Sequence, residues 1–230
     1  MINAIAFDGN GVLYFRDRDF AQSLMEYIRR LYLPAFDIVS GRAAFENYMR
    51  QSFDGSMGKS EAIDLFLDAA GIFEPAVRAD LVERELAFSR RIDLFPMERE
   101  TLLELSRRGF KLGMITNSFQ SAEEKASWFR ELGLDCIADT VISSIDTGYS
   151  KPDRGIYLAF ARRIGEDPST IAFVGHEGFE LEGARNAGML PVSFNCDPGI
   201  REKIHLDIFS DLLDIFPAPG SAPVFRKGQT

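Results

Sequence analysis

Cysteine is nearly absent from this chain. Only Cys136 and Cys196 occur in 230 residues, far apart and without metal-ligand spacing, so neither a disulfide framework nor a cysteine zinc site is expected. Runs of basic residues are missing as well. The formal net charge is −9, and the arginines fall in scattered pairs such as Arg29–Arg30, Arg107–Arg108 and Arg162–Arg163. That pattern argues against binding to nucleic acid or to an anionic membrane surface. No apolar stretch approaches the roughly 20 residues needed to span a bilayer. No basic region precedes the short apolar stretch that ends at Phe7. The expectation is a protein of the reducing cytoplasm, neither exported nor membrane-bound. Oligomeric state is not legible.

What is present is apolar residues in two distinct rhythms, 46% of the chain. That is ample for one packed domain with an inserted module, since domains usually run about 100–200 residues. Ile2 to Phe7 is a short apolar run that stops abruptly at Asp8-Gly9-Asn10-Gly11, as a buried parallel strand delivering a polar loop would. Similar runs follow at Lys111–Ile115, Thr140–Ser144, Ile171–Val174 and Leu190–Phe194, with a last strand-like pair at Ile208–Phe209. Helical patterns lie between them. Arg154–Ile164 has apolar residues at helical spacing, Pro152 near its start and Gly165 past its end. Ser121-Ala-Glu-Glu124 is a capping box opening the next such segment. Strands alternating with helices predict an α/β fold, a Rossmann-like parallel sheet covered on both faces.

Between residues 15 and 94 the strand-like runs vanish and four amphipathic stripes succeed one another. They are Phe20, Leu24, Ile28 and Leu31; Phe45, Tyr48 and Met49; Ile63, Phe66 and Leu67; and Val77, Leu81, Phe88 and Ile92. The predicted organisation is an α/β core from residues 1–14 and 95–216, an inserted all-helical module over 15–94, and a flexible tail over 217–230, rich in Pro, Gly and small residues.

In such a sheet, ligands bind beyond the carboxyl ends of the strands, so the residues where each apolar run stops are the informative ones. Those ends hold Asp8 with Asn10, Thr116 with Asn117, Ser150-Lys151-Pro152, and Gly175-His176-Glu177 leading to Glu180. An aspartate, a hydroxyl, a lysine and an acidic loop converging on one crevice suit phosphoryl chemistry: a nucleophile, phosphate donors, positive charge and a metal site. Trp128 and the phenylalanines are read as core, and His205 as structural.

Four motifs in order carry a resemblance. They are Phe7-Asp8-Gly9-Asn10-Gly11-Val12-Leu13, Met114-Ile115-Thr116-Asn117, Ser150-Lys151-Pro152-Asp153, and Val174-Gly175-His176-Glu177 running to Gly183-Ala184-Arg185-Asn186-Ala187-Gly188-Met189. Together they resemble the haloacid dehalogenase-like hydrolase superfamily, in its helical-cap, beta-phosphoglucomutase/phosphatase-like branch, over nearly the whole chain to Phe216. The resemblance implies that Asp8 attacks the substrate and forms a covalent aspartyl intermediate. Thr116, with Gly9, Asn117 and neighbouring amides, would hold the phosphoryl oxygens, and Lys151 would neutralise charge. The helical module would act as a cap that selects a small-molecule substrate, with Lys59 a further contact. Magnesium is implied too, bound by Asp8, the backbone carbonyl of Asn10 and the acids of the fourth motif. Glu180 keeps the place of the second acid, His176 replaces the first, and Glu177 is a further candidate ligand.

Two departures qualify those roles. Asn10 stands where phosphatases carry the proton-transferring acid, a group worth roughly 10²–10⁴-fold in rate. His176 is open to three interpretations: a proton-transfer group, a ligand of a metal other than magnesium, or a neutral residue filling the metal's place. The leading expectation is attenuated hydrolysis of a phosphorylated metabolite. The alternatives are a non-catalytic or repurposed binding protein, and a metal-independent dehalogenase-like hydrolase.

Overall fold

The computed structural model describes residues 1–16, 20–53 and 57–224, apart from the side chains of Ser52, Phe53, Lys59, Leu86 and Ser89. Six short strands form one parallel sheet: β1 (Ala4–Phe7), β2 (Lys111–Thr116), β3 (Val141–Ser143), β4 (Ile171–Gly175), β5 (Leu190–Phe194) and β6 (His205–Leu206). Their order is β3-β2-β1-β4-β5-β6. The chain therefore builds outward from β1 to β3 and then returns to the other side of β1. This is the reversal of strand order that opens a crevice beyond the strand ends. Register fixes where that crevice lies, because Phe7 sits opposite both Met114 and Val174, so Asp8 emerges level with Ile115 and Gly175.

Every residue of β1 is buried, as is every residue of β4, so both faces of the central strands are covered. One helical unit, Arg16–Asp93, comprises α1 (Phe20–Leu31), α2 (Ile38–Phe53), α3 (Lys59–Ala69) and α4 (Pro75–Ser89). Within it Leu24, Ile28, Phe45, Met49, Ile63, Phe66, Leu67 and Leu81 are buried, so each helix contributes its apolar stripe to a common core. Leu31, at the end of the first stripe, is 51% exposed. Burying one such side chain contributes about 1.5–3 kcal/mol, which is how a bundle of individually marginal helices holds together.

The other unit, Met1–Phe15 with Leu94–Thr230, contains the sheet and α5 (Glu98–Arg107), α6 (Ala122–Glu131), α7 (Asp135–Ala138), α8 (Ser144–Thr147), α9 (Arg154–Ile164), α10 (Gly178–Ala187) and α11 (Leu212–Ile215). Ile156, Tyr157 and Phe160 of α9 pack with Leu181, Ala184 and Ala187 of α10 against Ala4, Ala6, Ile171 and Phe173. Ser121 caps α6 as expected, its Oγ accepting from the Glu124 N–H at 3.1 Å.

Two expectations are corrected. The last strand is His205–Leu206 rather than Ile208–Phe209, because the Asp211 carboxylate accepts from the N–H groups of Asp207 and Ile208 and turns that pair into a 3₁₀ entry. The segment read as a flexible tail is tied back as far as Val224. Ile2 and Ser221 form an antiparallel bridge, Gly220 N–H donates to Ile2 O at 2.9 Å, and Val224 N–H donates to Ile215 O at 2.9 Å. Residues 225–230 lie outside the described residues.

Candidate active site

Asp8 is the first residue past β1, and its N–H still donates to Val174 O at 2.9 Å, which locks the turn to the neighbouring strand. Three backbone N–H groups, of Val12, Leu13 and Tyr14, then donate to Gly9 O, coiling the chain tightly behind the carboxylate. Gly11 sits at φ +91°, and a Cβ there would come within 3.0 Å of the His176 ring, so glycine is required for conformation and for space alike. Gly9 is crowded in the same way by Thr116 Oγ1 at 3.1 Å and Tyr14 Oη at 3.2 Å.

The Lys151 ammonium bonds both Asp8 Oδ1 and Glu180 Oε1. All three side chains are buried, at 1%, 7% and 5% exposure for Lys151, Asp8 and Glu180, so solvent screens the ion triad little. Asn117 holds the lysine's backbone at both ends, its Oδ1 accepting from Lys151 N–H at 2.7 Å and its Nδ2 donating to Lys151 O at 3.0 Å. Tyr157 Oη donates to Glu180 O at 2.8 Å.

His176 closes the group on the other side. Its Nδ1 lies 3.2 Å from Asp8 Oδ2 and 3.5 Å from Glu180 Oε2, while Nε2 is 4.0 Å from Glu177 Oε1. His176 and Glu180 are four residues apart where the chain enters α10, so the helical turn presents both to Asp8. Each carboxylate thus gives one oxygen to Lys151 and turns the other toward the imidazole.

These contacts set the charges. Burial disfavours the Asp8 carboxylate, but Lys151 and then His176 outweigh it and hold this carboxyl below its usual range. Burial likewise opposes the Lys151 ammonium, and Asp8 and Glu180 more than compensate, so its pKa is raised. Burial dominates at Glu180 and raises its pKa, with Lys151 offsetting only part and the Asp8 charge adding to the rise. His176 is raised: burial lowers it, and the Asp8 contact prevails.

The sequence-based candidates divide accordingly. Asp8, Lys151, Glu180 and His176 converge, and Asn117 supports them through the Lys151 backbone. Thr116 is buried beside them, with Oγ1 directed to the Gly9 turn and to Asn117 O at 3.4 Å. Asn10 is exposed and bridges to Tyr14. Glu177 stands apart, half exposed beside Nε2. Lys59 opens α3, but its side chain lies outside the described residues.

One polar pair was not anticipated. Lys125, 2% exposed, donates to Tyr14 Oη at 2.7 Å, with its ammonium over the Tyr14 and Trp128 rings. The residues are 111 apart in sequence, and a lysine on an otherwise acidic helix start gives no signal of that meeting.

A family model described as haloacid dehalogenase-like hydrolase matches residues 2–188. The chain is 30% identical to Phosphatase MT3486 of Mycobacterium tuberculosis, over 82% of this chain and 85% of that protein. It is 31% identical to a glyceraldehyde 3-phosphate phosphatase of Methanothermobacter thermautotrophicus, over 49% of this chain, a match that spans only half the length of that relative. Among solved structures, one described as a dehalogenase superposes with a TM-score of 0.68 at 20% identity, over 94% of this chain and 97% of that one, a likeness of fold alone. With a match over four-fifths of its length and a parallel sheet that ends its first strand in a buried carboxylate, the chain belongs to the haloacid dehalogenase-like hydrolase family.

Proposed function

We propose that this protein hydrolyses small phosphorylated metabolites by nucleophilic attack of Asp8. The observation that carries this is the contact between the buried Asp8 carboxylate and the Lys151 ammonium. Burial disfavours a charged carboxylate, and the adjacent ammonium opposes that and lowers the Asp8 pKa, which favours the ionised form a nucleophile needs. An Asp8 oxygen forms a bond to phosphorus while the bond to the ester oxygen breaks, giving an aspartyl phosphate and the alcohol. Lys151 neutralises charge that builds on the transferring group and is already in place, so it requires no reorganisation. Water then cleaves the aspartyl phosphate, releasing phosphate and restoring the Asp8 carboxylate.

Asn10 sets the expected rate. An amide transfers no proton near neutral pH, so the departing oxygen takes its proton from water. Turnover is expected to be slow for alkyl esters and faster where the leaving group is already good. Magnesium, which the resemblance implies, prefers an all-oxygen octahedral shell. An imidazole nitrogen between the two carboxylates does not suit it.

A phosphate-ester panel with the native chain and Asn10→Asp tests the reading. Phosphate release is expected from the native chain, raised about 10²–10⁴-fold in the variant; none from either would remove the proposal. A second reading, displacement of halide from a short haloacid, is favoured by the same Asn10, because halide leaves without a proton donor. Chelator-insensitive halide release would select it.

A further inference from the structure

We propose that Asp8, His176 and Glu180 form a site for a divalent first-row metal, cobalt or zinc above manganese, in preference to magnesium. Three observations carry it, none of which requires that Asp8 attack phosphorus.

The first is spacing. One donor atom from each of the three residues lies within 4.8 Å of the others, and the contacts at His176 Nδ1 are 3.2 and 3.5 Å. Tetrahedral nitrogen and oxygen ligands at roughly 2.0–2.2 Å from a zinc-like ion stand roughly 3.3–3.6 Å apart. The second is satisfaction. Glu180 Oε2 is buried without a hydrogen-bond partner, and His176 Nδ1, buried as well, has only the poorly aligned contact to Asp8 Oδ2 at 3.2 Å. Buried polar atoms are rarely left so, and an imidazole nitrogen 3.5 Å from that unsatisfied carboxylate oxygen, with a second carboxylate oxygen at 3.2 Å, marks a place for a cation. The third is support around the ligands. Lys151 holds Asp8 Oδ1 and Glu180 Oε1, which leaves Oδ2 and Oε2 turned toward His176 Nδ1. On the far side, Nε2 points toward Glu177 Oε1 at 4.0 Å, close enough for a bridging water. With a metal bound, the ring would carry its proton on Nε2, on the side facing Glu177, and direct the Nδ1 lone pair inward, as is usual for metal-bound histidine.

The donor set then decides which ion. One imidazole and two carboxylates suit manganese, cobalt or zinc, and affinity rises along the first-row series, whereas magnesium gives up water reluctantly for nitrogen. With Lys151 and a divalent ion present, the two carboxylates are overbalanced by one positive charge, a setting that attracts an anionic ligand.

The chain has only two histidines, so proton NMR of the imidazoles reads the site directly. The probe is cobalt(II) added to the untagged, chelator-stripped full chain. The His176 ring signals, assigned by their loss in His176→Asn, are expected to shift or broaden beyond detection, while those of His205 stay near their original positions. Cobalt is expected to bind about 100-fold or more tightly than magnesium by calorimetry. His176→Asp is expected to erase most of that preference, and Glu180→Gln to weaken cobalt binding while leaving the His176 signals intact without metal. Three results overturn the proposal: no change at His176 with cobalt, equal affinity for magnesium, or cobalt affinity unchanged in both variants. The first would mean that an imidazolium itself occupies the cation's place. The nucleophile assignment fails separately: metal binding without phosphate release sinks that alone, and phosphate release indifferent to cobalt and chelator sinks this alone.

Discussion

Replacing Lys151 with methionine keeps its length and removes its charge, and the buried triad makes the cost calculable. Lys151 is 1% exposed at its side chain, with Asp8 and Glu180 at 7% and 5%, so no solvent stands ready to take its place. Removing one member of a buried ion pair typically costs about 3–5 kcal/mol, because the remaining charge is stranded. Here two like charges are stranded within 4.8 Å of each other. At an effective dielectric near 20 their gross repulsion is about 3.5 kcal/mol, part of it relieved by His176 and by protonation of Glu180. A loss of about 3–5 kcal/mol is therefore expected. The corresponding fall in melting temperature is about 6–20 °C, at roughly 2–4 °C per kcal/mol for a chain of this size. Urea unfolding followed by fluorescence of Trp128, the single tryptophan, reports the unit that contains the triad. Adding Asp8→Asn and Glu180→Gln to Lys151→Met removes the stranded charges and is expected to recover most of the loss, as closely coupled sites do. A Lys151→Met chain within 1 kcal/mol of native, or a triple variant no better than the single, would refute the description of this site as a buried, mutually compensating triad.

Glu98, fully buried at the start of α5, has Oε2 accepting from Phe95 N–H at 2.8 Å and Oε1 unpartnered, and burial pushes its carboxyl up to about 9, the Phe95 N–H opposing only in part. The unfolded chain releases that proton near its ordinary value while the native chain keeps it, so native stability falls as pH rises between roughly 4.5 and 9. Glu98→Gln is therefore expected to gain on the native chain by about 1 kcal/mol per pH unit across pH 5–8 in urea unfolding; a difference constant with pH would show that Glu98 does not titrate in that window. Gly11→Ala places a Cβ within 3.0 Å of His176 Nε2 at a φ of +91°, and is expected to cost about 1–3 kcal/mol and to reduce activity. A stable Gly11→Ala chain of native activity would mean that the turn before His176 can yield.

The order of elements and the place of the site were legible because both are written in local rhythm. Apolar runs too short for helices stop at polar residues, as at Phe7-Asp8 and Thr116-Asn117, and a central parallel strand buried on both faces has no other way to read. Ser121 and Gly165 mark helix ends through backbone groups a few residues away, which is why those boundaries could be set from the chain alone. The assignment of Ile208–Phe209 as a strand failed because a carboxylate just beyond it, Asp211, captures its backbone donors, a competition that apolar periodicity does not register.

By itself, then, the sequence determined a parallel sheet interrupted by a helical module, and the identity of the residues at the mouths of its strands. Only the tertiary structure decided what those residues do to one another. It placed Lys151 between Asp8 and Glu180, turned His176 Nδ1 toward both carboxylates, left Glu177 outside, and joined Lys125 to Tyr14. The physical reason is that charge and proton affinity depend on separations of a few ångströms and on exclusion of water. Those are fixed by packing among segments more than a hundred residues apart, such as Asp8 and Lys151, and by no pattern along the chain.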